Sequence, residues 1–248
     1  MQQLVLSFSE KTLTLLHKNA LNPSVEHFPL EMTKPLVKER ISTIIQTAIQ
    51  HSSIQRIVWF APDFTLFPSA LFDPSLLISY YELNHGQLQD THTLRYDTIE
   101  SLELVVIYSV PNWLDEYCKN ELQFKQLQHE ITLQLNYLAQ KKHTDQIQVF
   151  FHDHCFVLIV FKQKVLLSCT ATSFIQESDF IYFLLAHQQK LHLDQSFQLG
   201  LTEASLAIDL EPIQHLLSKF KDFERIEIFQ DNYPKYQNNI LCGSYEEH

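Results

Sequence analysis

Imidazole, carboxylate and thiol stand in one run at His152-Asp153-His154-Cys155, and each of these groups can ligate zinc or iron. On an extended backbone successive side chains point to opposite sides, so only alternate members such as His152 and His154 can converge on one ion. A closed zinc site takes four ligands, and no second ligand pair with suitable spacing stands elsewhere in the chain. His152 and His154 are therefore weak metal candidates, and a polar hairpin turn accounts for the same residues. Cys155 with a distant histidine would form a nucleophile and base, but nothing in the sequence brings such a pair together. A metal-dependent hydrolase resting on this run is the weakest of three functional readings.

Phosphate chemistry is marked by a scarcity. The 248 residues contain only Gly86, Gly200 and Gly243, where the usual glycine share is about 7%. Backbone cradles for phosphate rely on glycine because a Cβ would intrude between the peptide N–H groups and the anion. Most familiar nucleotide-binding fingerprints are thus missing.

Eighteen Lys and Arg face 29 Asp and Glu, for a net charge of −11, and no basic run exceeds a pair. That balance argues against a general nucleic-acid binder or a grip on anionic lipid. Cys118, Cys155, Cys169 and Cys242 lack the paired spacing of a zinc ribbon or a disulfide framework, and read as buried thiols. The N-terminus has no basic start followed by a long apolar stretch, and no run reaches bilayer-spanning length. The expectation is a cytoplasmic protein without membrane insertion. Its apolar fraction of 45% and charged fraction of 19% are those of a folded domain protein, long enough for two domains.

The elements that would position these residues repeat. Gln148–Phe151, Cys155–Phe161 and Val165–Thr170 are short apolar runs with polar breaks, the pattern of an antiparallel meander, and Phe156 to Phe161 is apolar throughout. A strand without a polar face is buried on both sides. The chain opens in the same way with Leu4–Phe8, Thr12–Leu16 and Val25–Leu30. Helical spacing follows the first triplet over Thr33–His51 and the second over Gln176–Leu191. In the first half come a strand at Ile54–Phe60 and a proline-rich aromatic connection over Ala61–Pro74, expected to hold little regular structure. A helix at Pro74–Leu83, strands at Thr91–Tyr96 and Leu102–Ser109, and helices at Pro111–Asn120 and His129–Lys141 complete that half. In the second half a strand at Phe197–Leu201, a helix at Glu211–Phe220 and a strand at Arg225–Phe229 precede a polar tail over Gln230–His248. Phe60, Phe64, Phe67 and Phe72 could form a partner surface. Eighteen phenylalanines need interior volume, however, and packing beneath the local sheet is the simpler reading.

Two units reading strand, strand, strand, helix, strand, helix, strand resemble the actin-like ATPase superfamily. More closely, the chain resembles a bacterial family of uncharacterised proteins, a domain of unknown function with an actin-like fold. The resemblance is carried by LVLSFSEKTLTLL at the start, FTLFPSALFDP after the fourth strand, and VLLSCTATSFIQESDFIYFLL across the second unit, and it covers most of residues 1–241. It implies an α/β protein of two tandem ribonuclease H-like units around a cleft, each a mixed sheet flanked by helices. In active members the turn between the first two strands of each unit carries an aspartate, then a glycine, then a hydroxyl residue. The matching residues here are Ser7 to Lys11, with Ser9 in the turn, and His152 to Cys155, with Asp153 as the carboxylate; neither turn holds a glycine. The adenosine loop of the family uses paired glycines, where this chain has Gly200 followed by Leu201. Ser7, Ser9, Asp153 and Gly200 are therefore the positions of a degenerate nucleotide site. The related ribonuclease H-like nucleases need an acid on the first strand, and Ser7 cannot serve as one.

The resulting expectation is a first unit over residues 1–143 with an inserted aromatic segment, a second over 144–241, and a tail over 242–248. The function expected is that of a non-catalytic scaffold or protein-interaction protein, a pseudo-ATPase with no cofactor, a protein partner and scope for homo-oligomerisation. The alternative is an ATP-binding enzyme of the superfamily with divergent phosphate loops.

Overall fold

The computed structural model describes residues 2–18, 24–30, 37–124, 126–140, 145–152, 155–193, 198–204, 209–219, 228–231 and 240–241. The chain divides into two compact units, Met1–Leu138 with Asn239–His248, and Ala139–Asn238. Among the described residues no helix is long and apolar enough to cross a membrane.

The first unit begins with β1 (Gln2–Phe8), β2 (Thr12–Lys18) and β3 (Ser24–Pro29), then α1 (Val37–Ile49) and β4 (Ser52–Trp59). β1 pairs antiparallel with β2, and β2 with β3, whereas β4 lies parallel to β1 on its other side. A parallel partner requires a crossover, which α1 supplies with Val37, Ile41 and Ile45 on its buried side. Leu4, Leu6, Phe8 and Leu13 are fully buried.

The chain then departs from the sheet. β5 (Phe64–Pro68), two short 3-10 turns at Ser69–Leu71 and Pro74–Leu76, α2 (Leu77–His85), β6 (His92–Ile99), a third 3-10 turn at Glu100–Leu102 and β7 (Leu104–Pro111) form an inserted three-stranded antiparallel sheet of order β5-β7-β6. The sequence reading assigns Phe64–Pro68 to an irregular connection; it is a strand because β7 offers an apolar partner over Leu104–Tyr108. Phe60 and Phe64 are buried. Phe67 stacks on Tyr80 with ring centroids 4.1 Å apart, and Phe72 lies 6.0 Å from the same ring. Packing thus accounts for the aromatic segment.

The path returns through α3 (Asn112–Asn120), β8 (Leu127–His129) and α4 (Glu130–Gln140). β8 joins the first sheet parallel to β4. This strand is missing from the sequence reading, because three residues flush against a helix carry no period of their own.

The second unit repeats the arrangement without the insertion: β9 (Asp145–Phe151), β10 (Cys155–Lys162), β11 (Val165–Ser173), α5 (Glu177–Lys190), β12 (Gln198–Glu203), α6 (Glu211–Leu217) and β13 (Ile228–Asp231). Both sheets have the order third, second, first, fourth, fifth strand, β3-β2-β1-β4-β8 and β11-β10-β9-β12-β13. Every residue of β10 from Cys155 to Phe161 is buried, as its unbroken apolar run requires. Phe156, Leu158 and Val160 pack with Phe180, Leu184, Ile213 and Leu217, which places α5 and α6 over that face.

At the other end of the chain, Ile240 and Leu241 are buried and the Leu241 carbonyl accepts a hydrogen bond from Arg56 Nη1 at 2.9 Å. A polar tail is the sequence expectation for this stretch. Two adjacent apolar residues with a cation to bind the carbonyl suffice to dock it in the first unit.

Gly200 stands in the middle of β12, opposite Gln148 of β9 and Phe229 of β13. Its missing side chain leaves room for the buried Gln148 amide, which donates from Nε2 to Thr202 Oγ1 at 2.7 Å. A Cβ at Gly200 would fall 2.1 Å from Gln148 Oε1. Gly200→Ala should therefore expel the amide, strand the Thr202 hydroxyl and cost roughly 1–3 kcal/mol in denaturant unfolding. In a Gln148→Ala background the same change should cost far less; equal costs in both backgrounds would contradict this role for the glycine.

Candidate functional site

The β1–β2 hairpin stands where a phosphate turn is expected. Ser9 N–H donates to the Thr12 carbonyl at 2.9 Å, closing a four-residue turn. The Ser9 hydroxyl then accepts from the N–H groups of Thr12 and Lys11 at 3.1 and 3.4 Å. These amides are the donors a phosphate would need at this position, and the chain's own side chain engages them. Ser7, half-buried in β1, faces Thr14 of β2 and Val58 of β4 and adds no carboxylate for a metal.

At the second turn His152 is buried, and its N–H donates to the Cys155 carbonyl at 2.8 Å. Asp153 and His154 lie outside the described residues. Among the described residues no group of three or more His, Cys, Asp or Glu side chains could hold a metal ion. Cys118, Cys155 and Cys169 carry thiols rather than disulfides. Burial pushes the Cys118 thiol up to about 12, which removes it as a nucleophile at neutral pH. Gly200, the third expected contact, lies within a strand with the Gln148 amide in the space its hydrogen leaves.

The most developed polar chemistry lies in the first unit, where no sequence motif announces it. His129, at the end of β8, is fully buried. Its Nδ1 accepts the Ile131 N–H at 3.2 Å, which caps the first turn of α4. With Nδ1 accepting, Nε2 carries the ring proton and donates to the Ala61 carbonyl at 3.1 Å, and the Ala61 N–H, 3.3 Å from the same nitrogen, is not bonded to it in this tautomer. The rings of Tyr108 and Phe64 lie 4.8 and 5.6 Å from the imidazole. Apolar burial pushes its pKa down to about 3, so the ring is neutral.

Asp97 of β6 completes the arrangement. Its Oδ2 accepts from the His129 N–H at 2.7 Å and from Thr132 Oγ1 at 2.8 Å, and its Oδ1 lies 3.2 Å from the Tyr108 hydroxyl, whose one proton is shared with the Leu127 carbonyl at 3.0 Å. The carboxylate thus sits at the N-terminus of α4, where the helix dipole favours an anion. Burial raises its pKa, opposed by those hydrogen bonds and by Arg95. Burial raises the Tyr108 phenol well above its ordinary range, with Asp97 adding to the effect. Nearby, Asp115 of α3 receives Arg95 Nε on one oxygen and Lys119 Nζ on the other, the latter at 2.6 Å. Trp59 Nε1 donates to the Ser109 carbonyl at 2.8 Å, and Tyr81 donates to the Ser109 hydroxyl at 3.2 Å. Apart from the Lys119–Asp115 pair within α3, these bonds join separate elements of the first unit. The arrangement fastens the inserted sheet to the first sheet and has the character of a structural clamp.

Two sheets of identical strand order, with antiparallel first, second and third strands and parallel fourth and fifth strands, define the actin-like ATPase fold. Within that class the chain belongs to the family described as "Protein of unknown function (DUF3822)", which matches residues 2–218. A solved structure from Bacteroides thetaiotaomicron, a protein with an actin-like ATPase fold and unknown function, is similar over 98% of this chain and 94% of that chain, with 17% identity and a TM-score of 0.78. The cytoplasmic domain of EpsL, an inner membrane component of the type II secretion system of Vibrio cholerae, is similar over 100% of this chain and 97% of that one, with 12% identity and a TM-score of 0.54. No curated protein matches the sequence.

The clamp has a pH signature. His129 titrates near its ordinary 6.5 when unfolded and near about 3 when folded, so between those values the unfolded state binds the extra proton. Stability from this residue is present above about pH 6.5 and is lost by up to roughly 1.4 kcal/mol for each pH unit below it. Asp97 has the opposite sign, because its raised folded pKa lets the native state take up a proton first as pH falls. Urea unfolding from about pH 7 to about pH 5 should show a steep loss for the native protein and a flatter profile for His129→Gln. Parallel profiles would contradict a neutral, buried His129.

Proposed function

We propose that this protein is an actin-like scaffold that works by holding other proteins and takes no nucleotide step. The observation that carries the reading is the β1–β2 hairpin, where the Ser9 hydroxyl occupies the Lys11 and Thr12 amides. Nucleotide affinity in this fold depends on backbone donors that stand open to phosphate. Here phosphate would have to displace an internal bond, and no glycine allows the turn to re-form around it. The net charge of −11 adds long-range repulsion toward a polyanion. Lys11 is the cation of the turn itself and is exposed. A scaffold role accords with a fold like that of the EpsL cytoplasmic domain, which is part of a secretion assembly. Its place of action on this reading is the cytoplasm, and its partner is another protein.

The reading predicts no stabilisation by magnesium ATP. A real site filled to one hundred times its dissociation constant would add about 2.7 kcal/mol to folding stability and raise the melting temperature measurably. Thermal unfolding with millimolar ATP and magnesium should match that of the protein alone, and titration calorimetry should record no binding heat. A saturable rise in melting temperature accompanied by a stoichiometric heat would overturn the proposal.

A further inference from the structure

Helix α2 carries exposed apolar residues beside its packed face. Tyr81 is buried and packs with Val105 and Ile107, and Leu77 and Tyr80 join the same cluster. Asn84 and His85 reach Thr65 of β5 from that inner side, at 3.3 and 3.1 Å. Beside that packed face, Leu76 at the end of the 3-10 turn and Leu83, seven residues on, share one flank with Tyr80 between them, at 47 and 84% exposure, whereas Ile78 lies on the opposite flank beyond Ser79. Leu71, 69% exposed, extends the surface, since its carbonyl accepts from the Tyr80 hydroxyl at 3.4 Å. A surface helix normally presents polar residues outside its packed face, and neighbouring exposed leucines there mark an interaction site.

Charge states what kind of partner covers it. The inserted segment from Ala61 to Pro111 holds seven carboxylates and one cation, Arg95. Arg95 is already engaged by Asp115, so no lysine or arginine of the insertion is available beside the leucines. Asp73 is exposed immediately before the helix, and Glu100 and Glu103 are exposed in a turn joined to Leu71's 3-10 turn by the Ser69 N–H to Glu103 carbonyl bond of 2.9 Å. An apolar strip with an acidic rim repels an anionic bilayer and repels a second copy of itself. It complements an amphipathic helix with a leucine-type stripe flanked by Lys or Arg.

We infer that the flank of α2 that carries Leu76 and Leu83, with Leu71 and the acidic rim around it, is a docking surface for a cationic amphipathic helix of a partner protein. The inference rests on the scaffold reading and gives it a surface. The aromatic rings singled out in the sequence serve as the support behind this surface, and the exposed leucines make the contact.

The test uses the full chain and a labelled model peptide of leucine and lysine in amphipathic spacing, with a leucine and glutamate peptide of the same spacing as control. Fluorescence anisotropy should show saturable binding of the lysine peptide and none of the glutamate peptide. Leu76→Ser with Leu83→Ser should weaken binding about tenfold. Both side chains are largely exposed, so the melting temperature should hold and a folding defect would be visible separately. Glu100→Gln with Glu103→Gln should weaken binding and reduce its salt dependence. Binding insensitive to the leucine changes, equal binding of the two peptides, a leucine-dependent dimer in sedimentation, or leucine-dependent binding to anionic vesicles would each overturn the surface assignment. Melting curves of the same samples with magnesium ATP keep the two proposals apart. Loss of peptide binding without a nucleotide shift removes the surface and leaves the scaffold reading, whereas a nucleotide shift removes the scaffold reading whatever the peptide does.

Discussion

The first unit depends on keeping one imidazole dry and neutral. His129 ends a parallel strand, caps the helix that follows it and donates to Ala61, the point at which the chain leaves the first sheet for the insertion. Each of those bonds needs a specific ring nitrogen, so the tautomer is set by the backbone around it. Asp97 approaches from the inserted sheet and binds the N–H of the same residue. A buried carboxylate is costly unless its acceptor sites are used. The His129 N–H and Thr132 hydroxyl at the N-terminus of α4, with a share of the Tyr108 proton, meet that requirement here, and they do so with the insertion held in place on the first sheet. Rigidity of the inserted subdomain therefore follows from polar groups that would destabilise any looser arrangement.

Much of the architecture was legible because it is written in periods. The two apolar triplets specify antiparallel strands, and the unbroken run of Phe156 to Phe161 specifies a strand buried on both faces. The clamp was hidden by the same logic. Along β6 the residues Leu94, Tyr96 and Thr98 alternate with Arg95 and Asp97, and alternation reads as apolar inside, polar outside. In the structure Leu94 packs with the α2 cluster, whereas Arg95 and Asp97 turn toward Asp115 and His129. Both faces of the strand are used, and a polar face that meets other polar groups looks like a solvated one in sequence. β8 and the docked pair Ile240 and Leu241 were missed for a simpler reason, since two or three residues are too few to show a period.

The candidate nucleotide positions show a related limit. The loss of glycine from the turns was plain from composition, but its consequence was not. In the hairpin the Ser9 side chain performs the task that an incoming anion would otherwise perform. In β12 the remaining glycine makes room for a glutamine side chain from the neighbouring strand. Both observations are of donors and space used internally, and they are what the scaffold proposal rests on.

That account is tested most directly at two atoms. In a nitrogen-15 amide spectrum of the protein, the Lys11 and Thr12 resonances report the groups that a phosphate would contact. On titration with magnesium ATP they should keep their positions, because the Ser9 hydroxyl already binds them. A saturable displacement of both resonances would show those donors turning to phosphate and would contradict the account.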